Sequence, residues 1–185
     1  METIIRGAGW FLWPLGFCSL LAAFIVVERL IALRASRILP SQALPLILAG
    51  DFRAVAQAFP KTTAGRIIRF ALDENPDKDA LTAYARLEFS RMERGLFLLD
   101  SVVAVAPLIG LFGTVYGLFT LFPESGGLPD QATLTRGVGL ALTTTMLGLF
   151  VAMPSLFANN FILRRIDILA ARISLLVERL NARER

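Results

Sequence analysis

Residues 101–123 read SVVAVAPLIGLFGTVYGLFTLFP, twenty-three positions without one Asp, Glu, Lys or Arg. A bilayer's hydrocarbon core is roughly 30 Å thick and about 20 helical residues cross it, so this stretch is long enough to span a membrane as a helix. Two more windows, 7–27 and 137–163, are equally free of charge and equally long enough. The chain has 185 residues, 55% hydrophobic and 18% charged, and all of its 19 basic and 15 acidic side chains lie outside the three windows. There they make up about 30% of the positions, the composition of an ordinary solvated surface. The pattern specifies an all-α membrane protein with three transmembrane helices and long helical extensions on one side.

The distribution of positive charge orients those helices. Of the Lys and Arg residues, 11 fall between the first two windows (28–100) and 6 follow the third, leaving only Arg6 and Arg136 on the opposite side. The positive-inside rule therefore predicts an N-out, C-in topology, on the strength of Arg29, Arg34, Arg37, Arg91, Arg94, Arg164 and Arg165 beside the spans. A sequence pI near 10.0 raises nucleic-acid binding as a function, but the basic residues follow the membrane instead of clustering on one phosphate-reading face. The reading excludes nucleic acid as a partner. It divides the chain into a transmembrane helix over 7–30, a cytoplasmic helical region over 31–95, a second span over 96–122, a periplasmic loop over 123–136, a third span over 137–163 and a cytoplasmic C-terminal helix over 164–185. Trp10 and Trp13 open the first span as an interfacial aromatic belt, and Glu28-Arg29 close it. The lone Cys18 sits inside that span as a packing residue, and Met1–Arg6 lacks the basic excess of a cleaved signal, so the first helix is read as permanent.

Outside the spans, Pro40, Pro45, Gly50, Pro60 and Gly65 punctuate residues 34–75 into short helices. Asn75-Pro76 predicts a helix start, with Asn75 as N-cap, Pro76 preset for the first helical position and Asp77 and Asp79 in the first turn. From there Leu81, Ala85, Phe89, Met92 and Leu96 form one apolar stripe, and the helix is expected to continue unbroken into the second span. Pro107 is a place where that span can bend. Pro123 to Pro129 breaks it on the far side, so spans two and three form an antiparallel hairpin. Beyond Arg164 the third helix is expected to continue, with Ile162, Ile166, Leu169, Ile173, Leu176 and Leu180 as a heptad-like seam against either the chain's own helices or another subunit.

Inside lipid, helices associate where small residues let backbones approach. Span two offers Gly110, Gly113 and Gly117, and span three offers Gly137, Ala141, Thr145, Gly148, Ala152 and Ser155 along one narrow face. Hydroxyls are unusually dense: Thr114 and Tyr116 in span two, Thr143, Thr144 and Thr145 in span three, with Asn159 and Asn160 lower down. A membrane Thr commonly bonds its own helix's carbonyl one turn back, but five hydroxyls in two paired helices exceed what packing needs and are candidates to line a hydrated path. No window holds a carboxylate, His or Lys, and the chain has no His at all, so it cannot relay protons across a bilayer alone. Glu28 and Asp100 are boundary charges expected to snorkel or pair with Arg. With no nucleophile–base pair, no metal-ligand cluster and no phosphate-binding motif, the chain is read as neither an enzyme nor a cofactor protein.

The segment Ala106 to Gly117, APLIGLFGTVYG, strongly resembles the second-span motif A-P-L-[LIV]-G-L-[LF]-G-T-V-x-G of the ExbB/TolQ/MotA proton-channel family. Trp13-Pro14 through Glu28-Arg29-Leu30, Arg91–Asp100 and LTTTMLGLFVAMP over 142–154 follow in family order, the last being similar to A-L-x-x-T-x-x-G-L-x-x-A-[IL]-P. The three-span layout is similar to the compact ExbB branch. The resemblance implies a bacterial inner-membrane homo-oligomer, a five-fold ring around ExbD/TolR-like single-span partners whose intramembrane aspartate carries the proton. It implies ion flow that drives a periplasmic or outer-membrane client such as a TonB-type system. It places the pore threonines at Thr114 and Thr145, with Thr144 beside them, and the packing motif at Pro107, Gly110, Gly113, Gly117, Ala141, Gly148 and Pro154. Many members carry a Glu where this chain has Leu140, and that departure favours the alternative of a non-conducting scaffold or a stator for another client.

Overall fold

The computed structural model describes residues 9–121 and 130–183, and every regular element among them is helical. After a short 3-10 turn at Gly9–Phe11 come α1 (Leu12–Ala32), α2 (Ala35–Ile38), α3 (Ala43–Leu48), α4 (Phe52–Ala58), α5 (Thr63–Glu74), α6 (Lys78–Met92), α7 (Leu96–Phe119) and α8 (Gln131–Arg183). Helices α1, α7 and α8 are long and apolar enough to cross a membrane, in agreement with the three charge-free windows. The chain folds as two compact units, one from its start to Val26 with Gly95–Asn160, the other from Val27–Arg94 with Phe161 to its end.

In the first unit Leu15, Ala106 and Ala152 form a small buried core, with Ile109, Leu147 and Val151 packed against it. Two of its three buried residues are alanines, as expected where backbone approach and not side-chain volume drives association. Large apolar side chains point outward instead: Phe17 and Phe24 on α1, Phe112 and Phe119 on α7, Phe150 and Phe157 on α8. That inversion of a soluble surface fits a lipid-facing exterior. Trp10 and Trp13 are exposed at the start of α1, as a belt requires. The expected break at 123–129 lies outside the described residues. Residues 131–136, expected in the loop, are already helical, because Asp130 caps the helix. Its backbone carbonyl accepts from the Leu134 N–H at 2.9 Å, and hydrogen bonds from Thr133 hold its carboxyl below the usual range.

The second unit contains the expected short helices. Asp51 caps α4 by accepting from the Ala54 N–H at 3.1 Å, and Thr62 caps α5 by accepting from the Gly65 N–H at 3.1 Å. Phe70 of α5 stacks on Tyr84 of α6 with ring centroids 4.3 Å apart. Three expectations are corrected. Asn75 does not start α6; it ends α5 in the left-handed region at φ 44, which Asn tolerates, and Asp77 is the N-cap instead, accepting from the Ala80 N–H at 2.8 Å. The helix does not run unbroken into the second span, because α6 stops at Met92 and α7 restarts after Gly95 at φ 88, a conformation open to glycine and costly for other residues. The buried stripe of α6 runs Leu81, Ala85, Glu88, Met92, not through Phe89. The seam Ile162, Ile166, Leu169, Ile173, Leu176 and Leu180 is buried within the chain itself, so it needs no second subunit to cover it.

Candidate functional site

The sequence candidates converge on the contact between α7 and α8, where glycine is demanded by distance. A Cβ at Gly110 would lie 2.9 Å from the Thr144 carbonyl oxygen and 3.0 Å from Thr145 Cα, both backbone atoms that cannot rotate away. At Gly148 it would lie 2.6 Å from the Ala106 carbonyl oxygen and 3.2 Å from Gly110 Cα. Gly113 faces a side chain instead, with Thr144 Oγ1 at 2.6 Å and Thr144 Cβ at 2.7 Å from the same construction. Gly117 meets Gly137 and Ala141 at 3.3 to 3.4 Å, an easier contact. The expected small-residue hairpin is thus present, with its closest backbone approaches at Gly110 and Gly148.

The face presented by α8 differs from expectation at one position. Its buried residues are Gly137, Ala141, Thr144, Gly148, Ala152, Ser155 and Asn159, so the stripe passes through Thr144 where Thr145 was expected. Thr144 has 0% exposure, and its hydroxyl donates to the Ala141 carbonyl at 2.9 Å, within its own helix. Thr145 is turned about 100° from it, to the edge of the seam, where it is half-buried. Its hydroxyl donates across the hairpin to the Gly110 carbonyl at 3.2 Å. The Thr114 hydroxyl donates to the Leu111 carbonyl at 2.6 Å and that of Thr143 to the Gly139 carbonyl at 2.8 Å. The ordinary one-turn-back bond therefore accounts for Thr114, Thr143 and Thr144, and Thr145 alone among them bridges helices.

Two prolines loosen the same helices. Pro107 and Pro154 lie inside α7 and α8, and each lacks the N–H that would satisfy the carbonyl four residues earlier, at Val103 and Phe150. Lower on α8 the Asn159 side-chain oxygen is buried with no hydrogen-bond partner among the described residues. Leu140 and Tyr116 help to line an apolar cavity of about 580 Å³, with Phe11, Phe112 and Ile109. Phe11 meets Phe112 and Tyr116 edge-on, at centroid distances of 5.8 and 5.5 Å. Of the boundary charges, Glu28 pairs with Arg29 at 2.6 Å as expected, and Asp100 is exposed on the first turns of α7.

One charged cluster had no counterpart in the sequence reading. Glu88, only 1% exposed, accepts from Arg66 at 2.5 Å and from Arg91 at 2.5 Å, and that hydrogen bonding holds the Arg66 guanidinium above its usual range. The available signal was Glu88's place in the 81, 85, 88, 92 register, one turn before Arg91, where an acid on an apolar stripe calls for a buried partner.

Comparison with known proteins adds an independent finding. The model of the MotA/TolQ/ExbB proton channel family matches residues 54–174. The chain is 37% identical over 101 residues to the biopolymer transport protein ExbB of Helicobacter pylori, covering 52% of this chain and 69% of that one. It is 38% identical over 95 residues to the ExbB of Neisseria gonorrhoeae, covering 50% of this chain and 43% of that one. With the biopolymer transport protein exbB1 of Vibrio cholerae it shares 27% identity over 176 residues, covering 84% and 75% respectively. The matched part thus spans well under two thirds of some relatives, 43% of the Neisseria protein among them.

Proposed function

Because the chain belongs to the MotA/TolQ/ExbB proton channel family, we propose that it is the ExbB-like channel or stator subunit of an inner-membrane energy-transducing motor. In this reading, proton flow taken up with an ExbD/TolR-like partner drives a periplasmic or outer-membrane client such as a TonB-type transport system. Copies of the chain form a ring, five-fold by family likeness, through the outward apolar faces of α1, α7 and α8, oriented N-out and C-in by the arginine asymmetry. No enzymatic reaction is assigned to it.

The observation that carries the reading is the separation of roles between two adjacent threonines. Thr144 is consumed by packing, whereas Thr145 sits at the seam's edge with its hydroxyl on the Gly110 carbonyl of the facing helix. A hydroxyl there can pass its hydrogen bond from Gly110 to a water or to a partner's carboxyl without leaving its rotamer, because hydroxyl protons rotate freely. The chain supplies polar atoms at depth but no carboxylate, His or Lys, so the proton carrier belongs to the partner. The freed Val103 and Phe150 carbonyls add acceptors on the same two helices.

Valine substitution separates path from packing, since it keeps the volume of threonine and removes only the hydroxyl. Interhelical hydrogen bonds in membranes contribute about 0.6 kcal/mol on average, so Thr145→Val leaves a mere packing contact standing. The expected result is loss of partner-dependent proton flux in vesicles for Thr114→Val and Thr145→Val at normal expression, and a mild effect for Thr143→Val, which points about 160° away from Thr145. Full flux in both variants would reject the assignment. A second reading, a non-conducting scaffold that kept the family fold, is favoured by Leu140, which places an apolar side chain in an apolar cavity where many relatives carry Glu. That reading gives no flux in the wild type with its partner present.

A further inference from the structure

The second unit holds a cavity of about 490 Å³ whose wall combines the side chains of Arg29, Arg37, Lys61, Arg66 and Arg91 with one carboxylate, Glu88. Its volume falls within the roughly 300–1,000 Å³ of small-ligand sites. Arg29 is matched by Glu28, and Glu88 is shared between Arg66 and Arg91. That leaves three positive charges uncompensated among the described residues, with Arg37 and Lys61 in no ion pair. Like charges gathered around one concavity repel unless a counter-anion enters it. The N-terminus of the twelve-residue helix α5 adds positive dipole to the same wall through Thr62 and Thr63. Thr63 Oγ1 accepts from Arg66 at 3.2 Å, and its own proton has no acceptor among the described residues.

The rest of the wall is apolar. Leu33 and Met92 line it too and are buried. Arg29 lies in the last turn of α1, and Met92 lies four residues before α7 in the chain, so two of the lining residues are close in sequence to candidate membrane spans. An apolar wall beside the basic groups suits the glycerol backbone of a lipid, which a free inorganic anion lacks.

We propose that this cavity binds the phosphodiester headgroup of an anionic phospholipid, held by Arg37, Lys61 and the outward guanidinium edge of Arg91. Glu88 fixes Arg91 in position, so its remaining N–H groups are presented without loss of rotamer freedom on binding, while Arg66, bonded to Glu88, Thr63 and the Lys61 carbonyl, contributes its charge to the wall. The site lies outside the threonine-bearing hairpin and does not depend on ion conduction.

The test uses the full-length protein in detergent micelles, titrated with dioctanoyl phosphatidylglycerol, with dioctanoyl phosphatidylcholine and with inorganic phosphate, adducts being counted by native mass spectrometry. The expected result is a preference of roughly tenfold for the anionic lipid over the zwitterionic one, reduced by about the same factor in Arg37→Gln/Lys61→Gln and retained in Arg37→Lys/Lys61→Arg. Both substituted side chains are exposed. A photoreactive phosphatidylglycerol on the unaltered protein, which needs no variant to fold, is expected to label the segments around residues 29–38 and 61–66. Equal binding of the two lipids, an undiminished preference in the glutamine variant, or labelling confined to other segments would overturn the proposal. Displacement of the lipid by equimolar inorganic phosphate would overturn its assignment to lipid in favour of a free anion.

Discussion

Replacing Gly113 with Ala adds one methyl group where the hairpin closes on the enclosed side chain of Thr144. The new Cβ would stand 2.6 Å from Thr144 Oγ1 and 2.7 Å from Thr144 Cβ. Ordinary carbon contacts lie at about 3.5–4.0 Å, so the shortfall is roughly 1 Å. Rotation of Thr144 about χ1 moves its oxygen but not its Cβ, and Thr144 is fully enclosed. The two helices must therefore separate, at the upper end of the roughly 1–3 kcal/mol that overpacking costs. Moving the volume across the seam relieves it: Thr144→Gly removes the Cβ that the new methyl meets, at a cost of about 1–2 kcal/mol by itself for the void and the added backbone freedom. The double variant is then more stable than the sum of the two single changes by over about 1 kcal/mol, a coupling well outside the additivity of independent sites. Gly110→Ala is the matching negative control, because its contacts are the Thr144 carbonyl oxygen and Thr145 Cα, and Thr144→Gly removes neither. Equilibrium unfolding in mixed detergent micelles, followed by circular dichroism, measures the wild type, the three single variants and the two double variants. Additivity of Gly113→Ala with Thr144→Gly within about 0.5 kcal/mol, or equal rescue of Gly110→Ala, would refute the geometry.

Glu88→Gln is expected to destabilise the second unit by about 1–3 kcal/mol, since it leaves Arg66 and Arg91 without their shared carboxylate, whereas exposed Glu93→Gln stays within about 0.5 kcal/mol; hydrogen exchange along α5 and α6 reads both. Asp77→Ala removes the side-chain cap of α6 and costs about 1 kcal/mol, visible as faster exchange at Ala80, while Asn75→Gly, which suits the left-handed φ of 44, is neutral or mildly stabilising. The Asp130 carboxyl titrates lower in the folded chain than in the unfolded one, because Thr133 donates to it. Its support of α8 is therefore complete above the ordinary carboxylate range and is lost as the pH falls through the depressed folded value, so the first-turn amides of α8 fray only below that range and those of Asp130→Asn show no such dependence.

The three spans and the small-residue hairpin were legible in the chain alone, because the absence of charge over twenty or more residues has one physical solution in a bilayer, and because glycines at helical spacing have one common use there. The absence of any carboxylate, His or Lys in the windows was equally a property of composition. What the chain could not decide was rotation. A buried stripe on a helix advances by three or four residues at a step, and both Thr144 and Thr145 continue a line through Ala141 and Gly148, just as both Glu88 and Phe89 continue one through Ala85 and Met92. The two choices differ by about 100°, and nothing local separates them. In α8 the decision is made by Gly113, whose missing side chain leaves room for Thr144 and turns Thr145 to the edge. In α6 it is made by Arg66, twenty-two residues earlier, which supplies the charge that lets Glu88 be buried. The break at Gly95 has the same origin: glycine permits both a continued helix and a left-handed turn, and packing on either side, not the residue, selects the turn.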